Sequence, residues 1–122
     1  MDKRRRQDTG RHAEDTALAY LQRAGLTLVI RNYRCKAGEI DLVLRDGATL
    51  VLTEVRYRSE ARFGSAAASV TWRKQRRLAN AARHLLLTHP ELRCHPARFD
   101  VIAIDGRIPG STIDWIKNAF SL

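Results

Sequence analysis

Residues 38–58, GEIDLVLRDGATLVLTEVRYR, are the stretch of sequence that decides the fold. Two apolar runs, residues 42–44 and 50–52, flank an Asp46-Gly47 pair, which is typical of a two-residue turn between antiparallel strands. Apolar runs without polar alternation are typical of strands that are covered on both faces. The segment therefore predicts a buried β-hairpin with further elements packed on both sides of it.

The hairpin also carries charged side chains within or beside its apolar runs, namely Glu39, Asp41, Glu54 and Arg56. A buried carboxylate costs free energy unless it is paired, hydrogen-bonded or bound to a metal ion. Because side chains alternate between the two faces of a strand, a turn through residues 46–47 places all four on the same face, with Glu39 opposite Glu54. The sequence predicts a cluster of three acids and one base.

Two interpretations of this cluster remain open at the level of the residues. A divalent cation with hard oxygen ligands, Mg²⁺ or Mn²⁺, would offset the repulsion between the carboxylates and would serve phosphodiester chemistry. Alternatively, Glu39 and Glu54 form ordinary ion pairs with neighbouring arginines at the rim of the sheet: Arg34, Arg45 or Arg56.

Length and charge restrict the class of protein. The 122 residues suffice for one domain with a single core. The net charge of +9 favours a polyanionic partner such as nucleic acid, with an acidic membrane surface as the alternative. No apolar run reaches the roughly 20 residues that span a bilayer, and the basic residues 3–6 are not followed by the apolar region of a secretory signal. We expect a cytoplasmic protein that is not embedded in a membrane.

The elements around the hairpin follow from periodicity and from turn residues. We predict an α/β fold of order α-β-β-β-α-β, with a mixed central sheet flanked by helices, in a single domain over residues 9–122 that follows a basic flexible tail over residues 1–8. Thr9 is the predicted N-cap of the first helix, and residues 59–69 are predicted as an irregular connection. The final segment, residues 112–120, fits either a short strand or a helix.

The second helix, predicted over residues 70–88, carries Lys74 one turn before the core-facing Leu78. Lys74 should therefore point toward the sheet, although a lysine that snorkels from the end of an apolar face gives the same pattern. The surrounding basic run fits contacts to phosphate, or equally a solvated start of a helix. The side chains expected to contact nucleic acid are Arg58, Arg73, Arg76 and Arg77.

Several motifs occur in order along nearly the whole chain: TGRHAE (9–14), RNYR (31–34), GEIDLV (38–43), TEVRYR (53–58), FG (63–64), Lys74 with Arg77-Leu78, RFDV (98–101) and IKNAF (116–120). Together they resemble the YraN-like family of small bacterial proteins. That family is similar to the archaeal Holliday-junction resolvases within the PD-(D/E)xK nuclease superfamily. The resemblance implies a restriction-endonuclease-like core, and resolvase-like members suggest that the protein can form a homodimer.

The resemblance also implies roles for individual residues. Asp41 looks like the metal-binding aspartate of the superfamily, and Glu54 looks like the acid of its E-x-K motif, with the Val55 carbonyl as a further ligand. Glu14 is similar to the glutamate that the first helix contributes in resolvase-like members, and Glu39 matches the family's G-E-I-D run. The helix lysine of the family corresponds to Lys74.

One position departs from the superfamily motif, because Arg56 stands where the motif has lysine. Arginine stays protonated and offers a planar fork to phosphate, whereas a buried lysine can lose its proton. We predict a Mg²⁺-dependent endonuclease acting on DNA, including branched or single-stranded forms, with Asp41, Glu54, Arg56 and Lys74 as its catalytic residues. The alternatives are a nucleic-acid-binding protein that has lost efficient cleavage and a basic module that binds an acidic protein.

Overall fold

A computed structural model of the protein describes residues 3–58 and 69–121. The elements appear in the predicted order, and the final segment is a strand rather than a helix. They are α1 (Lys3–Arg23), β1 (Thr27–Cys35), β2 (Gly38–Asp46), β3 (Thr49–Arg58), α2 (Trp72–Thr88), a 3₁₀ helix (Pro90–Cys94), β4 (Ala97–Asp105) and β5 (Thr112–Phe120). Residues 59–68, which include most of the predicted irregular connection, lie outside the described residues.

The strands form one mixed sheet in the order β1-β2-β3-β4-β5. Neighbouring strands are antiparallel except β3 and β4, which are parallel and are separated in the sequence by α2. Parallel neighbours need a crossover connection, and a helix usually provides it. This arrangement is an α/β fold consistent with the restriction-endonuclease-like architecture, as predicted.

The two helices cover opposite faces of the sheet. On one face α1 buries Ala13, Ala17 and Leu21 against apolar side chains of β2, β3 and β4. On the other face α2 buries Leu78 and Leu85 against a second set from β2 and β3. Successive side chains of residues 42–44 and 50–52 point to opposite faces of the sheet, and both faces are buried. Each run is therefore apolar at every position.

The hairpin register differs by two residues from the prediction. Asp46 pairs with Thr49, so the turn consists of Gly47 and Ala48 rather than Asp46 and Gly47. Gly47 has φ +60°, the left-handed conformation that the first turn residue of a tight hairpin requires. Asp46 is in the strand, where its carboxylate accepts a hydrogen bond from Arg98 Nη2 at 3.2 Å. A shift by two residues preserves the faces, so the predicted clustering on one side of the sheet survives.

The first helix begins six residues earlier than predicted. It includes Lys3 and continues through Thr9, so the prediction of Thr9 as the N-cap is wrong. Residues 3–8, predicted as part of a flexible tail, are helical here. Lysine, arginine and glutamine have high helix propensity, and the prediction gave weight to their charge instead. The predicted end is confirmed, because Gly25 follows the helix with φ +99°.

A fully buried carboxylate fixes the last strand to the sheet. Asp100 accepts hydrogen bonds from Arg98 Nε at 3.0 Å, from Trp115 Nε1 at 2.9 Å and from the backbone N–H of Asn118 at 2.9 Å. Asn118 has φ +51°, and the register of β4 and β5 shifts between Phe99 and Val101. A buried charge with this many donors is satisfied, which explains why the RFDV motif contains an aspartate.

No helix in the described part of the chain is long and apolar enough to cross a membrane.

Candidate functional site

The centre of the candidate site is Asp41, near the start of β2. Its Oδ2 accepts a hydrogen bond from the backbone N–H of Val55 on β3 at 2.8 Å. The last regular pair of the hairpin is Leu42 with Thr53, and one further step of the same register brings Asp41 opposite Glu54. The bond to Val55 therefore fixes the aspartate carboxylate beside the glutamate.

These two carboxylates strongly affect each other's ionisation. Burial, followed by the negative charge of Glu54, raises the pKa of Asp41 to about 8, while the Val55 hydrogen bond opposes the rise. Burial also raises the pKa of Glu54, against the opposing effects of Arg56, a hydrogen bond with Asp41, and Lys74. Two carboxylates in contact away from water do not both ionise readily. The pair therefore favours a shared proton over two negative charges.

Arg56 lies beside the acidic pair and is held from two directions. Its Nη1 is 3.5 Å from Glu54 Oε1, and its Nε donates a hydrogen bond to Ser69 Oγ at 2.8 Å. Ser69 lies shortly before the start of α2 and thus links the helix entry to β3. The guanidinium is 26% exposed, so part of it remains accessible from the cleft.

Lys74 approaches the same place from the first turn of α2. Thr71 caps this helix, with its Oγ1 accepting a hydrogen bond from the Lys74 N–H at 3.3 Å. Burial and the positive charges of Arg56 and Arg58 lower the pKa of Lys74, while Glu54 and Asp41 act in the opposite direction. The prediction that Lys74 points toward the acidic pair agrees with this environment.

An open cleft of about 170 Å³ joins these groups. It is lined by Glu39, Glu54, Arg56, Lys74 and Arg77. Three of its five lining side chains are basic, so the cleft offers positive charge around two carboxylates, Glu39 and Glu54. An anionic ester group fits this charge distribution better than a cationic ligand does.

The position of α2 over the cleft depends on Gly38, the first residue of β2. A Cβ at this position would lie 2.1 Å from the carbonyl oxygen of Arg77 and 2.7 Å from its carbonyl carbon. Both are backbone atoms of the helix and cannot move aside as a side chain would. Gly38 therefore allows the close approach of α2 that brings Lys74 and Arg77 to the cleft.

The other two predicted acids are each paired with an arginine of β1. Glu14 of α1 lies 3.5 Å from Arg31 Nε, and Glu39 lies 3.4 Å from Arg34 Nε. Within residues 3–58 and 69–121, no group of three or more His, Cys, Asp or Glu side chains is close enough to hold a metal ion. The predicted convergence of three acids thus reduces to a pair, and both ion pairs of the alternative interpretation, Glu39 with Arg34 and Glu54 with Arg56, are formed.

The remaining pair nevertheless fits a divalent cation in its chemistry. Both side chains supply hard oxygen donors, and burial, which raises the pKa of each, makes a further positive charge beside them favourable. One oxygen of Asp41 is used by Val55, which leaves the other for an ion. Mg²⁺ commonly takes one or two carboxylates and keeps several waters, so two protein ligands are sufficient. The roles of the Val55 carbonyl, Glu14 and Glu39 as further ligands stay predictions.

The predicted phosphate-contacting arginines surround the cleft and the helix start. Arg58 is half-buried near the end of β3, whereas Arg73, Arg76 and Arg77 are exposed on α2. Trp72, which was not among the predicted residues, lies at the first position of α2, and the Arg76 guanidinium stacks over its ring at 4.9 Å. Its signal was an aromatic residue placed off the apolar stripe of a basic helix, a combination typical of nucleic-acid-binding surfaces.

Comparison with known proteins agrees with the resemblance found in the motifs. The model of the uncharacterised protein family UPF0102 matches residues 13–104. A UPF0102 protein of Ralstonia nicotianae is 57% identical over 118 residues, covering 93% of this chain and 87% of the relative. The UPF0102 protein of Pseudomonas savastanoi pv. phaseolicola is 49% identical, and the match covers 98% of this chain and 98% of the relative. That of Alcanivorax borkumensis is 48% identical, and the match covers 96% of this chain and 94% of the relative. The chain therefore belongs to the UPF0102 family, which is the YraN family that its motifs resemble.

Proposed function

We propose that this protein is a metal-dependent endonuclease that hydrolyses phosphodiester bonds in DNA. The observation that carries the proposal is the proximity of two half-buried carboxylates, Asp41 and Glu54, beside a cleft whose walls are largely basic. A structural ion pair needs one acid and one base and does not explain why two acids meet. A site that holds a cation beside a phosphate explains both the acidic pair and the basic walls.

The four residues form a metal-holding pair and a phosphate-contacting pair in this proposal. Asp41 and Glu54 would hold Mg²⁺ or Mn²⁺, and the bound ion would supply positive charge next to the phosphate that is attacked. Arg56 and Lys74 would contact the non-bridging oxygens of that phosphate and stabilise the charge that develops on them. The Val55 N–H orients Asp41 and so presents its other oxygen in a fixed direction.

Lys74 is also the better candidate for the proton-transfer task that the motif lysine implies. An attacking water must lose a proton, and an arginine at position 56 stays protonated throughout. The pKa of Lys74 is lowered by burial and by Arg56 and Arg58, which moves its Nζ toward the neutral form that can accept a proton. Arg56 then supplies the fixed positive charge at the phosphate, and Lys74 contacts the same phosphate and also accepts the proton of the water.

A second function is favoured by one specific observation. The Arg56 guanidinium is already engaged by Glu54 and Ser69, which resembles a structural arrangement more than a free catalytic group. A nucleic-acid-binding protein that keeps the fold and the basic surface, with weak or absent cleavage, would have such a site. The two functions share the DNA-binding surface and differ only in whether the bound DNA is cleaved efficiently.

A cleavage and binding assay with metal control tests the proposal. Labelled linear duplex, single-stranded and four-way-junction DNA would be incubated with the protein and with Mg²⁺, Mn²⁺ or EDTA. We expect cleavage that requires the metal and disappears in the Asp41→Asn, Glu54→Gln double variant, while DNA binding is kept or strengthened because negative charge is removed. The control is Glu91→Gln, which removes an exposed acid in the 3₁₀ helix that follows the opposite end of α2 from Lys74.

Cleavage by the double variant at the wild-type rate would show that the assigned site is wrong. Binding without cleavage by the wild-type protein under all metal conditions would establish the second function instead.

A further inference from the structure

Trp72 is exposed in a way that the fold does not require. Its side chain is 68% exposed, at the first position of α2, while the core-facing stripe of this helix runs through Leu78, Ala81 and Leu85. Exposing so large an apolar side chain forgoes the free energy that its burial would provide. The residue therefore has a surface role.

The ring is part of a shallow groove of about 300 Å³ beside α2. Its lining residues are Trp72, Arg76, Ala79, Asn80, Arg83 and Ser121. No carboxylate is among the described residues that line it. The Arg76 guanidinium lies over the indole at 4.9 Å, and Arg83 Nη1 donates to Asn80 Oδ1 at 3.4 Å. The groove thus combines an aromatic face, two cations and an amide.

This combination selects among possible occupants. The cations repel a lysine, a quaternary ammonium group or a basic peptide. An aliphatic partner would gain from the indole but would leave both guanidinium groups without anions. A nucleotide matches every feature, since its base stacks on an aromatic or guanidinium plane and its phosphate pairs with an arginine. Bases within a duplex are already stacked on each other, so only an unpaired base can use the indole face.

The groove also has a defined relation to the cleft. Trp72 and Lys74 are two positions apart on a helix, which places them about 200° apart around its axis and about 3 Å apart along it. Given the 10–12 Å helix diameter, the two side chains are on the order of 10 Å apart across the start of α2. This spacing corresponds to roughly three stacked nucleotides at 3.4 Å each.

We propose that the Trp72–Arg76 surface is a stacking site for an unpaired nucleobase of a DNA strand whose phosphates cross the start of α2 toward the cleft. This inference rests on the proposed function and makes it more specific, because it assigns a single-stranded or locally unpaired region as the substrate class. Sequence selection is not expected, since every base offers a stacking face.

The test is equilibrium binding measured by fluorescence anisotropy of labelled DNA, without divalent metal so that no cleavage occurs. The ligands are a 12-nucleotide oligo-dT, an abasic strand with the same number of phosphates, and a 12-base-pair duplex. The variants are Trp72→Ala, Trp72→Phe and Leu87→Ala. Leu87 is the matched control, because it is a 69% exposed apolar side chain on the same helix.

We expect Trp72→Ala to weaken oligo-dT binding ~10-fold, which is within the range for loss of one stacked base. Binding of the duplex and of the abasic strand should stay unchanged, as should the dependence of affinity on salt, because the phosphate contacts remain. Trp72→Phe should keep most of the affinity, and Leu87→Ala should behave as the wild type.

Three outcomes would overturn the inference in different ways. Equal oligo-dT affinity of wild type and Trp72→Ala would remove the stacking site and leave the proposed function intact. Trp72-dependent binding of poly-glutamate as strong as that of oligo-dT would identify an acidic protein as the occupant. Failure of the wild-type protein to bind any of the three DNA ligands would overturn both the stacking site and the proposed function.

Discussion

The stability of the protein should fall as pH rises, and Asp41 should be a main cause. The folded state holds Asp41 with a pKa of about 8, against an ordinary value of 3.8 that applies when the chain unfolds. Between these two pH values the folded protein therefore binds a proton that the unfolded protein has released. The free energy of unfolding then decreases with increasing pH, by at most about 1.4 kcal/mol per pH unit for one proton.

The substitution Asp41→Asn isolates this effect. The amide oxygen of asparagine can still accept the hydrogen bond from the Val55 N–H, which is 2.8 Å long in the wild type, but the side chain no longer titrates. Since the site is partly open to solvent, we expect about 1 kcal/mol per pH unit instead of the upper limit. The variant should become more stable relative to the wild type by about 2 kcal/mol between pH 5 and pH 7.

Urea unfolding followed by circular dichroism, at pH 5, 6, 7 and 8 in EDTA, measures this difference. Asp114→Asn, at an exposed position of β5, is the control and should follow the wild-type pH dependence. At pH 7.5, Mg²⁺ at 100 times its dissociation constant should stabilise the wild type by about 2.7 kcal/mol and the Asp41 variant by much less. Parallel pH profiles of wild type and Asp41→Asn would refute the reasoning, because the carboxyl would then titrate alike in both states.

Three further perturbations test other parts of the site. Arg56→Lys keeps the charge, so DNA affinity should change less than about 2-fold, while Mg²⁺-dependent cleavage should rise ~10-fold or more in single-turnover assays if a lysine restores acid–base assistance; no cleavage by either the wild type or the variant, despite normal folding and DNA binding, would favour the binding function. Gly38→Ala forces a Cβ against the backbone of α2, so it should lower the free energy of unfolding in urea by about 1–3 kcal/mol and should also reduce cleavage activity. Gly10→Ala is the control, because a Cβ there would meet no atom within 4 Å, and it should reduce neither stability nor activity. Three exposed arginines of α2 can be replaced together by glutamine: Arg73, Arg76 and Arg77. The replacement should weaken DNA binding and lower the slope of log affinity against log salt concentration by up to about 3, and an unchanged slope would exclude these arginines from phosphate contact.

Most of the fold could be predicted because it depends on local pattern. The apolar runs around Gly47 predicted the hairpin, and the helical stripe that contains Leu78 predicted both α2 and the direction of Lys74. The turn was misplaced by one residue because Asp46-Gly47 and Gly47-Ala48 both place a glycine in the turn. The turn at Gly47-Ala48 is selected by the positive φ of Gly47 and by the hydrogen bond from Arg98 to Asp46. That hydrogen bond joins residues far apart in the sequence, so local pattern does not predict it.

The composition of the site was less accessible to sequence reasoning. Glu14, Glu39, Asp41 and Glu54 are similar residues in similar patterns, but Glu14 and Glu39 pair with arginines of β1, whereas Asp41 and Glu54 meet each other beside the cleft, with Arg56 next to Glu54. Which acid finds a cation depends on distances between elements that periodicity does not contain. The role of Asp100 was missed for the same reason, since its donors come from both β4 and β5.

The parallel pairing of β3 with β4 has a consequence for the order of folding events. β1, β2 and β3 are joined by short turns, and hairpins of this kind form within about 1–10 μs. The parallel pair requires closure of a long loop that contains α2, which is slow because its entropy is lost before the contacts form. Asp41 and Glu54 therefore meet early, before Lys74 arrives above them. During that interval a proton from solution relieves their repulsion, so we expect acidity to affect the rate of folding as well as the protonation of the finished site.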